Sequence, residues 1–417
     1  MADLGVAGVY YGLDITDKYA LVSIYKSNMD EPETLSTVVG SEMFQIPMYL
    51  AKRRGMGQWY IGNEGKRQVQ LNAAEGVDML LQKALRRENV WLDTAEYPAL
   101  ELFLIYLRKL LTLPGQLFGN APLEKLVITV PNIDMEYMEL FAVVCNRLGL
   151  DASQVLFIDR GESFYYYALN QRADVFYNDV MLFDLEDNQL VGCRLHRNQD
   201  TRPQLIKLEN QNFGQLLDNK DERFLQILQS TFEGREISSV FLTGDGFDGD
   251  WMKQSLAYMC HNRRVFAGKN LYSKGACYAG FIKNNKTDWP FVFMGDQELK
   301  VNLSLKVLNH NELQFISLLD AGDNWFESEH SCEVILDGTK EIEFWIQRPD
   351  RRQASVEVLE LRDLPDRENR TTRLRITTKP ISDRDIKITI RDLGFGEIVP
   401  STNKVWEHEI SIMVQEQ

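Results

Sequence analysis

Beyond about Lys286 the chain changes its hydrophobic period, and that switch limits what it can fold into. Runs at 332–336, 341–346, 356–361, 373–377 and 386–390 alternate polar and apolar residues at period two, as antiparallel strands with one buried face do. Asp337-Gly338, between the first two runs, is a strong signal for a two-residue hairpin turn. Residues 290–417 are therefore expected to form a separate antiparallel β-sandwich. The apolar stretch 289–295 at its border reads equally as a docking strand or as the first strand of that domain.

Upstream, the pattern is mixed. Two β-rich runs, 9–13 and 20–25, flank a polar turn and predict a hairpin. Strands are expected at 58–62 and 125–131, the second an unbroken apolar run suited to a sheet covered on both faces. Helical spacing runs over 99–111, and again over 135–148 until Gly149 caps it. The theme then recurs: a strand at 155–158, a helix from Ser163 to Leu169, a hairpin from 180–185 and 190–195, a helix at 221–232, a buried strand at 239–244 and a helix at 250–260. Two hairpin-plus-α/β units in tandem predict an α/β region over about 1–285 in two lobes, about 1–172 and 173–285.

Charge and cysteine usage exclude several partners. Sixty-one acidic residues against 46 basic ones leave 417 residues with a net charge of -15, which repels a phosphate backbone, so nucleic acid is not expected. The most apolar stretch, 97–113, carries Glu101, Arg108 and Lys109 and is followed by Pro114 and Gly115, too short and charged to span a membrane. Met1 to Val6 shows no basic, apolar leader. Five scattered cysteines without a Cys-x-x-Cys pair read as reduced, and the chain as cytoplasmic.

The order of short motifs resembles the seventy-kilodalton heat-shock chaperones of the actin-like ATPase superfamily over nearly the whole chain. Gly12-Leu13-Asp14-Ile15-Thr16-Asp17 stands where that family has its first phosphate loop, and Phe183-Asp184-Leu185-Glu186-Asp187-Asn188 where it has the second. Ile46-Pro47-Met48-Tyr49, Ile61-Gly62-Asn63-Glu64-Gly65-Lys66 and Val127-Ile128-Thr129-Val130-Pro131-Asn132 resemble further signatures. Leu242-Thr243-Gly244-Asp245-Gly246 resembles the adenosine-site turn, and the stretch from Lys274 to Gly280 the helix after it. The resemblance implies a two-lobed actin-like ATPase fold with ribonuclease H-like lobes, an antiparallel β-sandwich for substrate polypeptides, and a nucleotide cleft at Asp14, Thr16, Lys83, Asp184, Glu186, Gly244 and Gly246.

The departures bear on chemistry. Phosphate loops work because glycines let backbone N–H groups approach the oxygens. Here Thr16 and Asp17 replace Gly and Thr in the first loop, and Glu186, Asp187 and Asn188 replace three glycines in the second. Two negative charges ~4 Å apart repel by roughly 4 kcal/mol at a dielectric of ~20, about three decades in affinity, so the loops read as built to exclude triphosphate. Asp14, Asp17, Asp184, Glu186 and Asp187 make an acidic basin, read as solvated turn carboxylates rather than a metal site because no ligand spacing is diagnostic. At the family's catalytic Glu stands Arg160, with Glu162 two residues away, and Lys83 aligns with the phosphate-reaching Lys although a surface charge is the simpler reading.

Length adds to this. About 45 residues separate the second hairpin from the strand at 239, room for a strand pair and one helix but not for the subdomain that closes over adenine in the family. No long helical segment follows 406–417, so the family's lid is not expected.

Other chemistries find little footing. His196, His261, His310, His330 and His408 form no metal-binding pair, and no nucleophile elbow or Walker loop occurs. Cys260 and His261 read as core Cys and surface His. The run Phe164 to Tyr167 reads as a helix packed between lobes rather than a partner patch. The turn from Gly244 to Asp250 reads as a strand-to-helix turn capped by Asp248 or Asp250, not as a calcium loop. The expected protein is thus a divergent, lidless, chaperone-like pseudo-ATPase that takes no cofactor and binds a protein or peptide partner. The alternative is an active ATP-dependent chaperone holding Mg-ATP between its lobes.

Overall fold

The computed structural model describes residues 8–36, 42–118, 121–131, 133–285, 288–326 and 328–411. The segment read for a leader, Asn132, Lys286 and residues 412–417 lie outside the described residues. The chain is a mixed α/β protein that gathers into two compact units, residues 1–195 with 209–289 and residues 196–208 with 290–417. The excursion 196–208 into the second unit has no counterpart in the sequence expectation.

In the first unit two sheets are built to one plan. Strands Val9–Ile15 and Tyr19–Tyr25 form an antiparallel hairpin, Leu123–Val130 joins the first of them in parallel, and Val155–Asp159 adds beyond. In the second sheet Asp179–Glu186 and Gln189–Asn198 form the hairpin, while Ile237–Thr243 and then Arg264–Ala267 add in parallel. The apolar run at 125–131 is buried from Leu126 to Val130, as a strand covered on both faces requires. Each sheet has its own apolar core, one around Phe103, Tyr106 and Phe141, the other around Phe183, Phe224 and Phe232.

Two helices lie between the sheets. Leu271–Asn285 packs on the first sheet and against the helix Arg160–Leu169. Arg160–Leu169 directs Phe164 and Tyr167 edge-on to Phe241 of the second sheet, with Phe164, Tyr165 and Tyr166 buried. The aromatic run is therefore a packing surface, and the helix that carries it begins at Arg160 rather than Ser163.

Other expectations need correction. The helix expected to end at Leu111 runs from Ala99 to Phe118 through Pro114. The proline loses one backbone bond, but the buried face carrying Leu102, Phe103, Tyr106 and Leu110 outweighs that loss. The helix expected at 250–260 spans only Gln254–Met259, and neither Asp248 nor Asp250 caps it. Asp221 does, its carboxylate accepting from the backbone N–H of Lys253, Gln254 and Ser255 at 2.8–3.1 Å. Those bonds outweigh the opposing effect of burial and hold its carboxyl near 2. Between the second hairpin and Ile237 lie one long strand, Gln204–Gln215, and one helix, Lys220–Phe232, not a strand pair. All five cysteines are free, and Cys260 is exposed rather than in the core. Among the described residues no helix is long and apolar enough to cross a membrane.

The second unit contains two four-stranded antiparallel sheets around one core that includes Leu303, Phe344, Ile376 and Ile388. Asp337-Gly338 does not make the expected hairpin, because His330–Ile335 and Glu341–Gln347 lie in different sheets. The turn is a crossover, held by Asp337, which accepts from Arg370 at 2.8 Å and Asn369 at 2.6 Å. The two-residue hairpin is elsewhere, joining Asn302–Asn309 to Glu312–Leu319 through His310 and Asn311, both left-handed. The stretch 289–295, read equally as a docking strand or as the first strand of the β domain, contains the strand Phe291–Phe293, which pairs in parallel with Gln204 to Ile206 and belongs to neither four-stranded sheet.

Candidate functional site

The two hairpin turns of the first unit meet, and Arg160 lies where they do. It is the first residue of its helix, and Asp159 caps that helix by accepting from the Glu162 N–H at 2.7 Å. The guanidinium reaches Asp14 through Nε (3.3 Å) and Nη2 (3.2 Å), and its Nη1 lies 3.6 Å from Asp184 and 3.7 Å from Glu186. It stacks 4.6 Å from the centre of the Tyr272 ring. Tyr19 donates its hydroxyl to Glu186 at 2.7 Å and accepts from Arg160 at 3.4 Å, while the Tyr272 hydroxyl donates to Asp184 at 3.2 Å. One largely enclosed cation thus gathers three carboxylates from two strands that lie far apart in sequence.

The electrostatics follow from burial. Burial opposes charge on Arg160, yet Asp14 and its neighbours more than offset this and keep it protonated. Burial raises the Asp14 carboxyl against the pull of Arg160, and raises Asp184 to about 6 with Glu186 adding to the effect. Asp184 Oδ1 is also buried without a hydrogen-bond partner. Asp184 therefore holds its proton more tightly when folded. It favours the folded state fully below about pH 4, and that contribution is lost as the pH climbs through 6. Asp184→Asn is expected to flatten this part of the stability–pH curve, as read from urea midpoints across the window. A slope unchanged in the variant would exclude Asp184 as its source.

The remaining residues expected at the site part company. Thr16 is buried and turned inward, its hydroxyl donating to the Tyr19 carbonyl at 3.1 Å and closing the first turn on itself. Lys83 stays away from the cluster, bonded to Asp78. Gly244 and Gly246 are required by packing: a Cβ at Gly244 would stand 2.4 Å from the Leu185 carbonyl oxygen, and one at Gly246 would stand 2.3 Å from the Leu185 side chain. Glu162 is buried and paired with Lys283 at 2.7 Å. Asp187 and Asn188 are left-handed and form the second hairpin turn, with Asp187 paired to Lys18 across the junction. Asp17 accepts from Gln82 at 2.8 Å.

The acidic basin is thus not solvated. Asp14, Asp184 and Glu186 are enclosed on Arg160, although Asp187 is exposed. Among the described residues no group of three or more His, Cys, Asp or Glu side chains is placed to hold a metal ion. The Arg160 guanidinium, with Tyr19 and Tyr272, bridges the two turns. Beside them a cavity of about 470 Å3 opens, bordered by Phe44, Leu242, Gly244, Gly268 and Lys269. Arg160, Tyr19 and Tyr272 were not read from the sequence as site residues. The available signal was charge compensation, since both loops gain carboxylates and Arg160 replaces an acid in the same motif set.

Residues 31–296 match a family model described as a family of unknown function, DUF5716, C-terminal, and residues 298–412 match a domain of unknown function, DUF8552. The first match covers more than half of the chain, which belongs to the DUF5716 family. No curated protein matches the sequence.

Proposed function

We propose that this protein is a nucleotide-independent, chaperone-like scaffold that binds an extended or unfolded polypeptide, with a first unit of actin-like ATPase ancestry. The observation that carries the reading is Arg160, which puts a protein cation where the resemblance would put magnesium and phosphate. Support for the ancestry comes from the two sheets of equal strand order. Support for a polypeptide partner comes from the outer face of the sheet containing Glu312–Leu319. There Leu313, Phe315, Val356 and Val358 are exposed, and Phe315 packs edge-on to Trp345 at 5.2 Å. Phe315, Trp345 and Val356 share this face with Lys306 and Glu343, and exposed apolar side chains gathered on one sheet face mark interaction sites.

One observation favours the second reading, an ATP-dependent chaperone: a cavity borders Gly244, in the turn that resembles the adenosine-site turn of that family. A single titration separates the two. A carboxymethylated, permanently unfolded polypeptide is expected to bind the protein, to bind about tenfold more weakly to Phe315→Asp/Val358→Asp, and to be indifferent to Mg-ATP. Mg-ATP should also leave the melting temperature unchanged, whereas a nucleotide at 100 times its dissociation constant would stabilise the fold by ~2.7 kcal/mol. Nucleotide-dependent release would establish the second reading, and absence of polypeptide binding would sink the first.

A further inference from the structure

In a chain with a net charge of -15, one small pocket of the second unit collects cations. It has a volume of about 160 Å3, and four separate stretches of chain each bring a positive side chain to it. Lys207 comes from the strand Gln204–Gln215, and Lys300 from the segment before Asn302–Asn309. Arg348 comes from the turn after Glu341–Gln347, and Arg384 from the turn between Arg373–Pro380 and Asp385–Asp392. Leu205, Met294 and Pro349 supply the apolar wall, and Asp350 is the one carboxylate in the lining.

Asp350 is already engaged. It accepts from Arg348 through Nε (3.0 Å) and Nη2 (2.8 Å), which fixes the guanidinium plane and leaves its remaining N–H edge available. Arg384 has only a side-chain contact with its neighbour Asp383, at 3.3 Å, and Lys207 has no hydrogen-bond partner among the described residues. Lys300 donates to the Gly295 carbonyl, which leaves two of its three hydrogens. Burial pushes the Lys300 ammonium below its ordinary range, against the pull of Glu298 and Asp383, and Arg384 pushes the same way. Asp350 pairs with Arg348, Asp383 with Arg384, and Glu298, Asp383 and Asp296 draw on Lys300, so an oxyanion in the recess would take the donor edges these carboxylates leave open.

We propose that this pocket binds a phosphoryl-type oxyanion, held by Lys207, Lys300, Arg348 and Arg384. The volume is below the roughly 300–1,000 Å3 of pockets that enclose whole small molecules, so the pocket suits one phosphoryl group and not a nucleotide. Guanidinium forks and ammonium donors are the groups that recognise such oxygens. The group can arrive as free phosphate or on a phosphorylated peptide, and the chemistry at the pocket is the same.

Calorimetric titration of the full chain with inorganic phosphate, at ionic strength held constant with chloride, tests this. Saturable binding is expected, weakened about tenfold or more in Lys207→Ala/Arg384→Ala. Lys207 and Arg384 are exposed, so the variant is expected to melt with the wild type. A phosphoserine peptide run in parallel identifies the source: tighter binding than phosphate points to a modified polypeptide, weaker binding to the free ion, and either supports the pocket. No saturable uptake above the chloride control, or equal affinity in the double variant, would overturn it.

Discussion

Arg160→Ala should destabilise the protein by about 3–5 kcal/mol at neutral pH, the usual cost of removing one partner from a buried ionic group. The loss arises because Asp14 is 1% exposed and cannot recover water in place of the guanidinium, and Asp184 and Glu186, partly enclosed, recover it only in part. Asp14 and Asp184 would then hold their protons more tightly still. The deficit should be largest at about pH 8 and shrink toward pH 5 as the carboxyls neutralise, because protonation removes the uncompensated charge. Urea denaturation of both proteins across that range measures it. A deficit independent of pH would mean that Arg160 matters only through its packing on Tyr272.

The second large effect lies in the sandwich. Asp392 is buried and accepts five hydrogen bonds: two from Arg367 at 2.9 and 2.8 Å, one from the Gly394 N–H at 3.0 Å, and two from Thr402 at 2.8 and 2.6 Å. These bonds outweigh burial and hold its carboxyl far below the ordinary range. Asp392→Ala leaves Arg367, itself 8% exposed, without its anion, and is expected to cost about 3–5 kcal/mol. The pH dependence has the opposite sign to that of Asp184. A depressed carboxyl stabilises the fold above its unfolded value near 4, and that contribution fades as the pH falls. The variant should therefore lose the acid-side decline that this group gives the wild type. Fluorescence of Trp406, whose indole donates to the Arg362 carbonyl at 2.9 Å, is the natural probe. An unfolding midpoint unchanged at neutral pH would show that the bonds to Asp392 contribute no net stability.

Much of the α/β plan is legible in the residues, because its signals are local. A buried central strand announces itself as Leu126 to Val130, and Gly149 stops a helix in the left-handed conformation it favours. What failed was decided by distant partners. Asp337-Gly338 has the chemistry of a hairpin, yet the sheets divide there because the next strand pairs with Asn302–Asn309. Asp248 and Asp250 have the chemistry of caps, yet Asp221, from another helix, reaches the N–H groups first. The site shows the same division. The degenerate loops could be read in the sequence, and repulsion between carboxylate and phosphate was the natural argument. Asp14 and Arg160 meet across 146 residues, a pairing that no local pattern in either segment announces.

The junction between the hairpin turns has a mechanical consequence. Lys18 is tied to Asp187, Tyr19 to Glu186, and Arg160 to carboxylates on both sides, so the tips of the two sheets are latched to each other. A machine of two jaws that opens and shuts on fuel needs those tips free to separate. Under the scaffold role proposed above, such a latch would make a fixed frame, and a cargo would leave it by competition or by a change in acidity and not by a power stroke.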